Sequence, residues 1–380
     1  MRICIFCHDA YMSGANLSLA DWLLEDDKNE YYIFIPHASN DFRHLSKRDN
    51  IHIVIGNYFA VFKYLDKRSI THRAKEGVKR VYMKLFYTTF IKRQLMKTVS
   101  QIKPDAILSN SFAIWIGADV AKTLGIPHIW HVREFMELDH KIMHYRPSKI
   151  RKLANYSSAI FISKSIEGYY TKKYAFKNTA VIYDSIRYQE DSYNNRVKRF
   201  IDKPVKAVFA GTISNGKGIF DAVRAVEELN NQGFQISLDI FGEGPQEEEI
   251  KKLILDHKDE KIHFLGFSKD LVSRRKKYDV AFVCSKMEAL GRVTVEAMYY
   301  GNLVIGANSG GTAEIIKNGK TGILYKSGDI NDLVKVTKFV INKGVANNEM
   351  IREAHDWAID HFSSPIASQL VQFIYISSKK

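Results

Sequence analysis

The sequence predicts an α/β fold made of two Rossmann-like, doubly wound domains that face a central cleft. Two observations support this prediction. Short apolar strands alternate with helical stretches along the chain, as they do in mostly parallel sheets. The same series starts a second time near Lys206, and 380 residues exceed what one hydrophobic core usually serves. Since ligands bind at the carboxyl ends of such strands, both domains should present those ends to the cleft.

The first domain opens with an apolar strand at residues 2–7 and a turn that contains Ser13 and Gly14, and then continues into a helical pattern. Strand, glycine turn and helix in this order begin a Rossmann-like unit. Further strands are predicted at residues 31–35, 51–55, 106–108, 128–130 and 159–162.

The second domain repeats this pattern. Its strands are predicted at residues 207–209, 236–241, 262–265, 280–284 and 303–305. Its helices are predicted at residues 218–229, 246–255, 271–278, 292–300 and 329–342. The polar stretch 187–203 shows little apolar periodicity, which is typical of a linker. We therefore expect a first domain at 1–186, that linker, a second domain at 204–360, and a C-terminal helix at 361–380 that packs back on the first domain.

Composition narrows the class of protein. The chain is 46% hydrophobic and 26% charged, as globular proteins are. It has no apolar run of the roughly 20 residues that a membrane-spanning helix needs, and it begins without the order of a signal peptide. Cys4, Cys7 and Cys284 cannot form a disulfide framework, and the first two point to opposite faces of a strand, which favours buried thiols over a zinc site. We expect a cytoplasmic protein.

The positive charge is concentrated in the first half, where the net charge is +11 of the total +14. Within residues 63–103, basic side chains alternate with apolar and aromatic ones: Lys67, Arg68, Arg73, Lys75, Lys79, Arg80, Lys84, Lys92, Arg93 and Lys97 with Val81, Tyr82, Leu85, Phe86, Phe90, Ile91 and Leu95. A basic helix with aromatics suits an anionic membrane surface, and a solvated helix face is an equally good interpretation. Nucleic acid is not expected, since no binding motif accompanies the charge.

The clearest local signal is the segment from Ser285 to Met298, SKMEALGRVTVEAM, which follows an apolar strand and runs into a helix. It places Glu288 on the loop before the helix and Glu296 about two turns later. A helix N-terminus offers free backbone N–H groups to a phosphate, and Gly291 lets a ligand come close. Carboxylates accept hydrogen bonds from sugar hydroxyls. The segment therefore predicts a site for a phosphate that carries a sugar or ribose.

Further motifs surround this segment. After it come VIG at 304–306, SGGT at 309–312, EII at 314–316, NG at 318–319 and TGIL at 321–324; before it come Gly211, KG at 217–218, FG at 241–242, GP at 244–245 and FLG at 264–266. The first half contributes GAN at 14–16, KPDA at 103–106, GIP at 125–127 and His131. In order and spacing, these motifs resemble the family-four retaining glycosyltransferases of the GT-B fold, such as those that build bacterial surface polysaccharides. The resemblance covers nearly the whole chain.

The resemblance implies a catalytic group made of Glu288, His131, Lys217 and Arg292. Glu288 would hold hydroxyls of the donor sugar, and His131 would approach that sugar. Lys217 would neutralise the diphosphate. The family usually has an arginine beside the glycine at 211, where this chain has Thr212, and Arg292 could replace the missing cation.

The donor site implied by the resemblance is larger. Glu296 would hold the donor ribose, and the glycine turn at Gly14 would face the diphosphate. The complete donor set is Gly14, Gly211, Lys217, Gly266, Glu288, Ala289, Leu290, Gly291, Arg292, Val293 and Glu296. No metal is expected to take part, because the family needs none and the chain lacks a D-x-D motif.

Several residues keep two interpretations. Asn110, Ser111 and Arg133 are candidates for contact with the acceptor, although Asn110 and Ser111 could equally cap a loop. Arg133 and Glu134 could pair with each other or contact ligand. His131 could simply be a satisfied histidine at the end of a strand.

The resemblance implies an enzyme that moves a hexose-type sugar from a nucleoside diphosphate sugar, a UDP- or GDP-sugar with UDP slightly preferred, to a saccharide acceptor. The acceptor would be lipid-linked if the basic stretch contacts the inner face of a membrane. Two other functions were weighed. A nucleotide-sugar 2-epimerase is disfavoured by the two spaced glutamates, and a catalytically silent subunit that binds glycan or a partner transferase is disfavoured by the intact Glu288, Glu296 and Lys217.

Overall fold

The chain divides into two compact units in the computed structural model: Met1–Ser185 with Pro365–Lys380, and Ile186–Ser364. The structure describes residues 1–60, 62–65, 74–75, 77–78, 80–82, 86–139, 141–186, 204–257, 260–268 and 270–379. The predicted linker at 187–203 lies outside these residues. So do six members of the basic and aromatic stretch: Lys67, Arg68, Arg73, Lys79, Lys84 and Leu85.

The first unit contains a parallel sheet. Its described strands are β1 (Arg2–Phe6), β2 (Glu30–Ile35), β3 (Ile51–Ile55), β5 (Ala106–Ser109), β6 (His128–Val132), β8 (Ser158–Phe161) and β9 (Thr179–Val181). They lie in the order β3-β2-β1-β5-β6-β8-β9. A separate antiparallel pair is formed by β4 (Phe62–Tyr64) and β7 (Ile142–His144). The central strands β1, β5 and β8 are mostly apolar and buried, as strands covered on both faces are.

Helices connect the strands of the first unit. The α-helices whose bounds the structure describes are α1 (Gly14–Glu25), α2 (Lys92–Ile102), α3 (Ile116–Leu124), α4 (Pro147–Ala154) and α5 (Lys164–Thr171), and a π-helical segment at Tyr87–Ile91 directly precedes α2. Leu19 and Leu23 of α1 pack into the core beneath β1 and β2. A last helix, Ala367–Ser378, belongs to this unit and adds Leu370 and Ile374 to the same core.

The second unit has a parallel sheet of its own. Its described strands are β10 (Val205–Ala210), β11 (Ile236–Phe241), β12 (Ile262–Gly266), β13 (Val280–Val283), β14 (Leu303–Ala307) and β15 (Ile323–Tyr325), in the order β12-β11-β10-β13-β14-β15. Its helices are α6 (Ile219–Asn231), α7 (Glu247–His257), α8 (Leu271–Arg274), α9 (Arg292–Tyr299), α10 (Gly310–Ile315), α11 (Ile330–Lys343) and α12 (Asn348–Phe362). The C-terminal helix of the first unit is then α13 (Ala367–Ser378).

These parallel sheets confirm the predicted α/β class. In each unit the strand order reverses beside the first strand, between β1 and β5 and between β10 and β13. Such a topological switch point is where doubly wound sheets bind ligands, because the loops on its two sides diverge and leave a crevice. The segment that holds Glu288 follows β13 and therefore lies at the switch point of the second unit.

The structure differs from the sequence-based elements in several places. The helices α10 and α12 were not predicted, and the C-terminal helix predicted at 361–380 begins at Ala367. β9 and β15 were not predicted, since each has only three residues and pairs at the edge of its sheet. The antiparallel pair β4–β7 joins strands 80 positions apart in the chain, and local patterns carry no information about such pairing. The helix predicted at 271–278 is one short turn, α8, followed by a 3-10 turn at Arg275–Lys277.

The described residues contain neither a membrane-spanning helix nor a group of metal ligands. None of the helices within the described ranges is long and apolar enough to cross a membrane. No group of three or more His, Cys, Asp or Glu side chains in the described part of the chain is arranged to hold a metal ion.

Candidate active site

The loop between β13 and α9 carries Glu288 and leads into the helix that carries Glu296, and two glycine turns hold the loop backbone. Gly218, at the start of α6, lies so close to Cys284 that a Cβ atom there would overlap the Cys284 carbonyl oxygen. Gly310, at the start of α10, approaches the backbone of Glu288 in the same way, and Gly311 N donates to the Glu288 carbonyl at 2.7 Å. The loop is therefore fixed between the first turns of two helices.

The side chain of Glu288 lies within this loop and is only 12% exposed. Lys217 Nζ donates to both of its carboxylate oxygens, at 2.9 and 3.1 Å, and the Ser285 hydroxyl donates at 2.7 Å. A carboxylate held by a cation and a hydroxyl stays in one orientation, because a change of rotamer would break both contacts. The structure thus brings Glu288 and Lys217, 71 residues apart in sequence, into one constellation.

Arg292 is the first residue of α9, and Gly291 before it has a left-handed φ of 89°. The first N–H groups of a helix have no partners within it, and they carry the positive end of the helix dipole. Arg292 Nη1 is buried and has no hydrogen-bond partner among the described residues, and the same holds for the hydroxyls of Thr294 and Thr312. Buried donors without partners are rare, and two of these three residues, Arg292 and Thr294, belong to the first turn of α9, where a helix attracts anions.

Glu296 lies one turn further along α9. Its carboxylate accepts a hydrogen bond at 3.1 Å from Nη2 of Arg275, a residue only 1% exposed. Asn302 Nδ2 donates to the Arg275 carbonyl at 2.8 Å and fixes the turn that carries the arginine. The sequence did not single out Arg275, because it stands in the basic run Arg274–Lys277, whose other members are exposed.

The remaining donor-site glycines of the second unit follow neighbouring strands. Gly211 comes directly after β10, and its N–H donates to the Phe241 carbonyl at the end of β11. Gly266 ends β12, and its carbonyl accepts from Gly242 at 3.0 Å. Thr212, which stands where the family has an arginine, is exposed. These glycines line the same edge of the sheet as the Glu288 loop.

In the first unit, Gly14 begins α1 after β1. A Cβ atom at Gly14 would contact nothing within 4 Å, so no packing within the protein requires glycine at this position. Glycines kept without an internal steric reason commonly leave room for a ligand to approach the backbone.

Asn110 and Ser111 follow β5, across the switch point from Gly14. Asn110 Nδ2 donates to the Ala15 carbonyl and to Asn16 Oδ1, both at 3.2 Å. Ser111 Oγ donates to Glu134 Oε1 at 2.6 Å and accepts from Ala113 N at 2.9 Å. Both side chains therefore hold loops, which agrees with their interpretation as loop-capping residues. Of their side-chain polar atoms, the buried Asn110 Oδ1 lacks a partner among the described residues.

His131 lies in β6 and is completely buried. Its Nε2 lies 3.2 Å from Nη1 of Arg133, and the other terminal nitrogen of Arg133 contacts the carboxylate of Asp184. Of the two alternatives for Arg133 and Glu134, pairing with each other is not observed: Asp184 follows β9, and the sheet brings its carboxylate to Arg133, while Glu134 accepts a hydrogen bond from Ser111. No sequence signal distinguished Asp184, which lies 51 residues from Arg133.

The second unit contains a segment that is similar in sequence to known proteins. Residues 191–357, fewer than half of the chain, match the family model "Glycosyl transferases group 1". The glycogen synthase of Mycobacterium tuberculosis is 24% identical over 180 residues, which are 47% of this chain and 44% of that protein. The 2-deoxystreptamine glucosyltransferase of Streptomyces kanamyceticus is 27% identical over 157 residues, 40% of this chain and 41% of that protein. The aligned segments span fewer than half the length of these two relatives.

Solved structures match the chain over its full length. The Anabaena protein Alr3699/HepE, crystallised with UDP and glucose, has a TM-score of 0.75 and 18% identity, and the match covers 99% of this chain and 100% of that one. The likeness confirms the predicted GT-B fold class. The relatives named above are glycosyltransferases or synthases, which agrees with the resemblance drawn from the motifs.

Proposed function

We propose that the protein is a retaining glycosyltransferase that moves a hexose-type sugar from a nucleoside diphosphate sugar to a saccharide acceptor. The observation that carries the proposal is the Glu288 carboxylate, held by Lys217 and Ser285 on a glycine-bounded loop that leads into α9. The match of residues 191–357 to group 1 glycosyl transferases supports it. UDP is the preferred nucleotide, which is supported by the UDP and UDP-glucose bound to the structurally similar HepE.

The reaction requires positive charge at the diphosphate. As the bond between the sugar and the phosphate oxygen breaks, negative charge grows on the leaving diphosphate, and fixed donors stabilise it best. Lys217, the first turn of α9 and Arg292 lie on one side of the second unit and can supply that charge. The chain has Thr212 where the family usually has an arginine, and Arg292 supplies the missing positive charge. The Nη1 atom of Arg292, which has no hydrogen-bond partner among the described residues, is consistent with this role.

The sugar becomes positively charged as the same bond breaks, with the oxocarbenium character typical of glycosyl transfer. Glu288 would hold the sugar hydroxyls. Following the resemblance, the acceptor hydroxyl attacks the anomeric carbon from the face that the diphosphate leaves, and its proton passes to the departing phosphate oxygen. One C–O bond forms as another breaks on the same face, so the anomeric configuration is retained. No metal is needed, since side chains and backbone supply the charge.

Glu296 would recognise the nucleotide by accepting hydrogen bonds from the ribose hydroxyls, and Arg275 keeps its carboxylate in place. Changing Glu296 to Gln retains an oxygen that can accept from Arg275 but removes the charge, so the variant should keep the fold with a lower free energy of unfolding than the wild type. We expect the affinity for UDP to fall about tenfold, the loss of one charge-assisted hydrogen bond. Thermal shift measured across UDP concentrations tests this. Glu248→Gln, at an exposed glutamate of α7, is the matched control.

Turnover itself separates this function from that of a silent glycan-binding subunit. The wild-type protein is incubated with UDP-sugars and saccharide acceptors, released UDP is measured, and the anomeric configuration of the product is determined by NMR. Release of UDP above background with a product of the donor's configuration supports the proposal. UDP binding without release in any pairing indicates the silent subunit, and an inverted product contradicts the retaining mechanism.

We further propose that the first unit contacts an anionic membrane from the cytoplasmic side, so that a lipid-linked acceptor can reach it. Val78, Tyr82, Phe86 and Phe90 are spaced four residues apart and are 70, 43, 40 and 67% exposed. The rings of Tyr82 and Phe86 stack with centroids 4.7 Å apart, and those of Phe86 and Phe90 lie 6.1 Å apart. We call Tyr82, Phe86 and Phe90, together with Val78, the aromatic stripe. An exposed apolar stripe of this kind is unusual on a surface that contacts only water.

Charge complementarity favours a membrane as the partner of this aromatic stripe. Lys75, Arg93 and Lys97 are exposed in the same stretch, and the first half of the chain carries most of the net charge. Aromatic side chains enter the boundary between headgroups and acyl chains while basic ones bind anionic lipids, and the two contributions act together.

Replacing both Phe86 and Phe90 with Ser should therefore weaken binding to vesicles that contain phosphatidylglycerol by at least about tenfold, because burial of one Phe contributes about 2 kcal/mol. Co-sedimentation at low salt measures this. Phe339→Ser, at an exposed phenylalanine of α11 in the other unit, is the control and should bind like the wild type. Equal binding by all three proteins, or no binding to anionic vesicles by the wild type, contradicts the membrane proposal.

A further inference from the structure

Three polar side chains of the first unit form a buried cluster at the carboxyl edge of the sheet: His131, Arg133 and Asp184. His131 is completely buried, and the side chains of Arg133 and Asp184 are 4% and 2% exposed. His131 and Arg133 come from the end of β6, while Asp184 comes from the segment after β9. Because burying such groups is costly, their arrangement should serve a purpose beyond packing.

The contact between Arg133 and His131 determines where the histidine carries its proton. A guanidinium group has only donors, so the nitrogen it approaches, His131 Nε2 at 3.2 Å, must accept. In a neutral imidazole the proton is then on Nδ1. A protonated imidazolium would place an N–H group of Nε2 against the N–H groups of Arg133, which is electrostatically unfavourable.

The surroundings keep the ring neutral. Burial together with the charge of Arg133, opposed by Asp184, lowers the pKa of His131 to about 3. Asp184 is also buried, which disfavours its ionisation, but the guanidinium group of Arg133 lowers its pKa below the ordinary value. The carboxylate therefore stays charged, neutralises Arg133 and fixes the guanidinium against the ring.

The remaining ring nitrogen is the informative one. Nδ1 of His131 is buried and makes no hydrogen bond to any of the described residues. A buried N–H group without a hydrogen-bond partner lowers the stability of the fold by about 1–3 kcal/mol, and such groups are rare in native proteins. A neutral imidazole with an unused donor can give a hydrogen bond to an oxygen atom, such as a sugar hydroxyl, but cannot take a proton through that nitrogen.

We propose that Arg133 and Asp184 are positioning residues that hold His131 as the neutral, Nδ1-protonated imidazole, so that His131 can act only as a hydrogen-bond donor through Nδ1 and not as a base. The part that concerns a role in the reaction rests on the proposed function. The tautomer does not, since it is a property of the free protein.

NMR of the full-length protein labelled with 15N-histidine tests the tautomer. Long-range proton–nitrogen correlations distinguish the two neutral forms, and loss of the signal in His131→Gln assigns it. We expect the Nδ1-protonated pattern for His131, unchanged from pH 5.5 to 8. His144 is an internal control of the opposite form, because its Nε2 contacts the Phe112 carbonyl at 2.9 Å and must donate. An Nε2-protonated or titrating His131 would overturn the proposal.

Two variants test the positioning. Arg133→Lys keeps a cationic donor and should keep the Nδ1-protonated pattern. The double replacement Arg133→Met with Asp184→Leu removes both charges together, which buried ion pairs commonly tolerate. In it, His131 should populate both tautomers and titrate nearer its ordinary pKa. If the double variant showed the wild-type tautomer and no titration, Arg133 and Asp184 would not be positioning residues. The spectra are recorded without a nucleotide sugar, so they test the tautomer independently of the proposed function. A protein without transferase activity could still show the Nδ1-protonated form, and an active transferase could lack it.

Discussion

Replacing Glu288 with Gln should lower kcat by about 100-fold or more, the largest effect expected of any single change in this protein. The carboxylate would contact the sugar while positive charge develops there, and removing one fixed group that stabilises a transition state typically costs about 100- to 1,000-fold. Gln has the same size and can still accept from Ser285 and Lys217, so the loop should keep its shape. UDP release under saturating donor measures kcat.

Two controls make this result specific. Thermal shift with UDP should be the same for Glu288→Gln and the wild type, because the nucleotide does not contact Glu288 in the proposed arrangement. Glu248→Gln should retain wild-type turnover. Full turnover in Glu288→Gln would remove Glu288 from the site, and loss of UDP binding together with turnover would indicate that the loop had been distorted.

Replacing Arg275 with Met should destabilise the protein by about 3 kcal/mol. Breaking a buried ion pair by removal of one partner leaves the other charge without compensation, and Arg275 is almost wholly buried against Glu296. The part of Glu296 that is exposed limits the cost, since water can reach that carboxylate. Urea unfolding followed by circular dichroism measures the change in the free energy of unfolding.

The neighbouring Lys276 provides the control. It is exposed, it lies in the same turn, and Lys276→Met should change the free energy of unfolding by less than about 0.5 kcal/mol. Arg275→Met should also raise the KM for the donor, because Glu296 loses the group that orients it. Equal stability of the two variants would show that the contact between Arg275 and Glu296 contributes little to folding.

The sequence predicted secondary structure correctly where the spacing of apolar residues along the chain determines it. The strands at 51–55 and 236–241 have the bounds predicted for them, because apolar side chains recur at every second position or more often in both segments and turn residues flank them. Short edge strands such as β9 and β15 were missed, since three residues show no period. The helix predicted at 271–278 gives way to a 3-10 turn at Arg275, whose side chain is buried against Glu296.

The candidate site shows the same division. The segment from Glu288 to Glu296 could be found from its spacing, because a carboxylate, a glycine and a helix start within nine residues have a chemical meaning on their own. The side chains that orient these carboxylates could not. Arg275 stands among other basic residues, and nothing in the run indicates which member is buried.

The sequence by itself therefore determined the α/β class, the repeated strand and helix pattern and the loop that carries Glu288. Only the tertiary structure decided the partners: Lys217 with Glu288, Arg275 with Glu296, and Arg133 with both His131 and Asp184. The reason is physical. Secondary structure follows from interactions between residues a few positions apart, whereas an ion pair forms between side chains that the order of strands in a sheet brings together from distant parts of the chain.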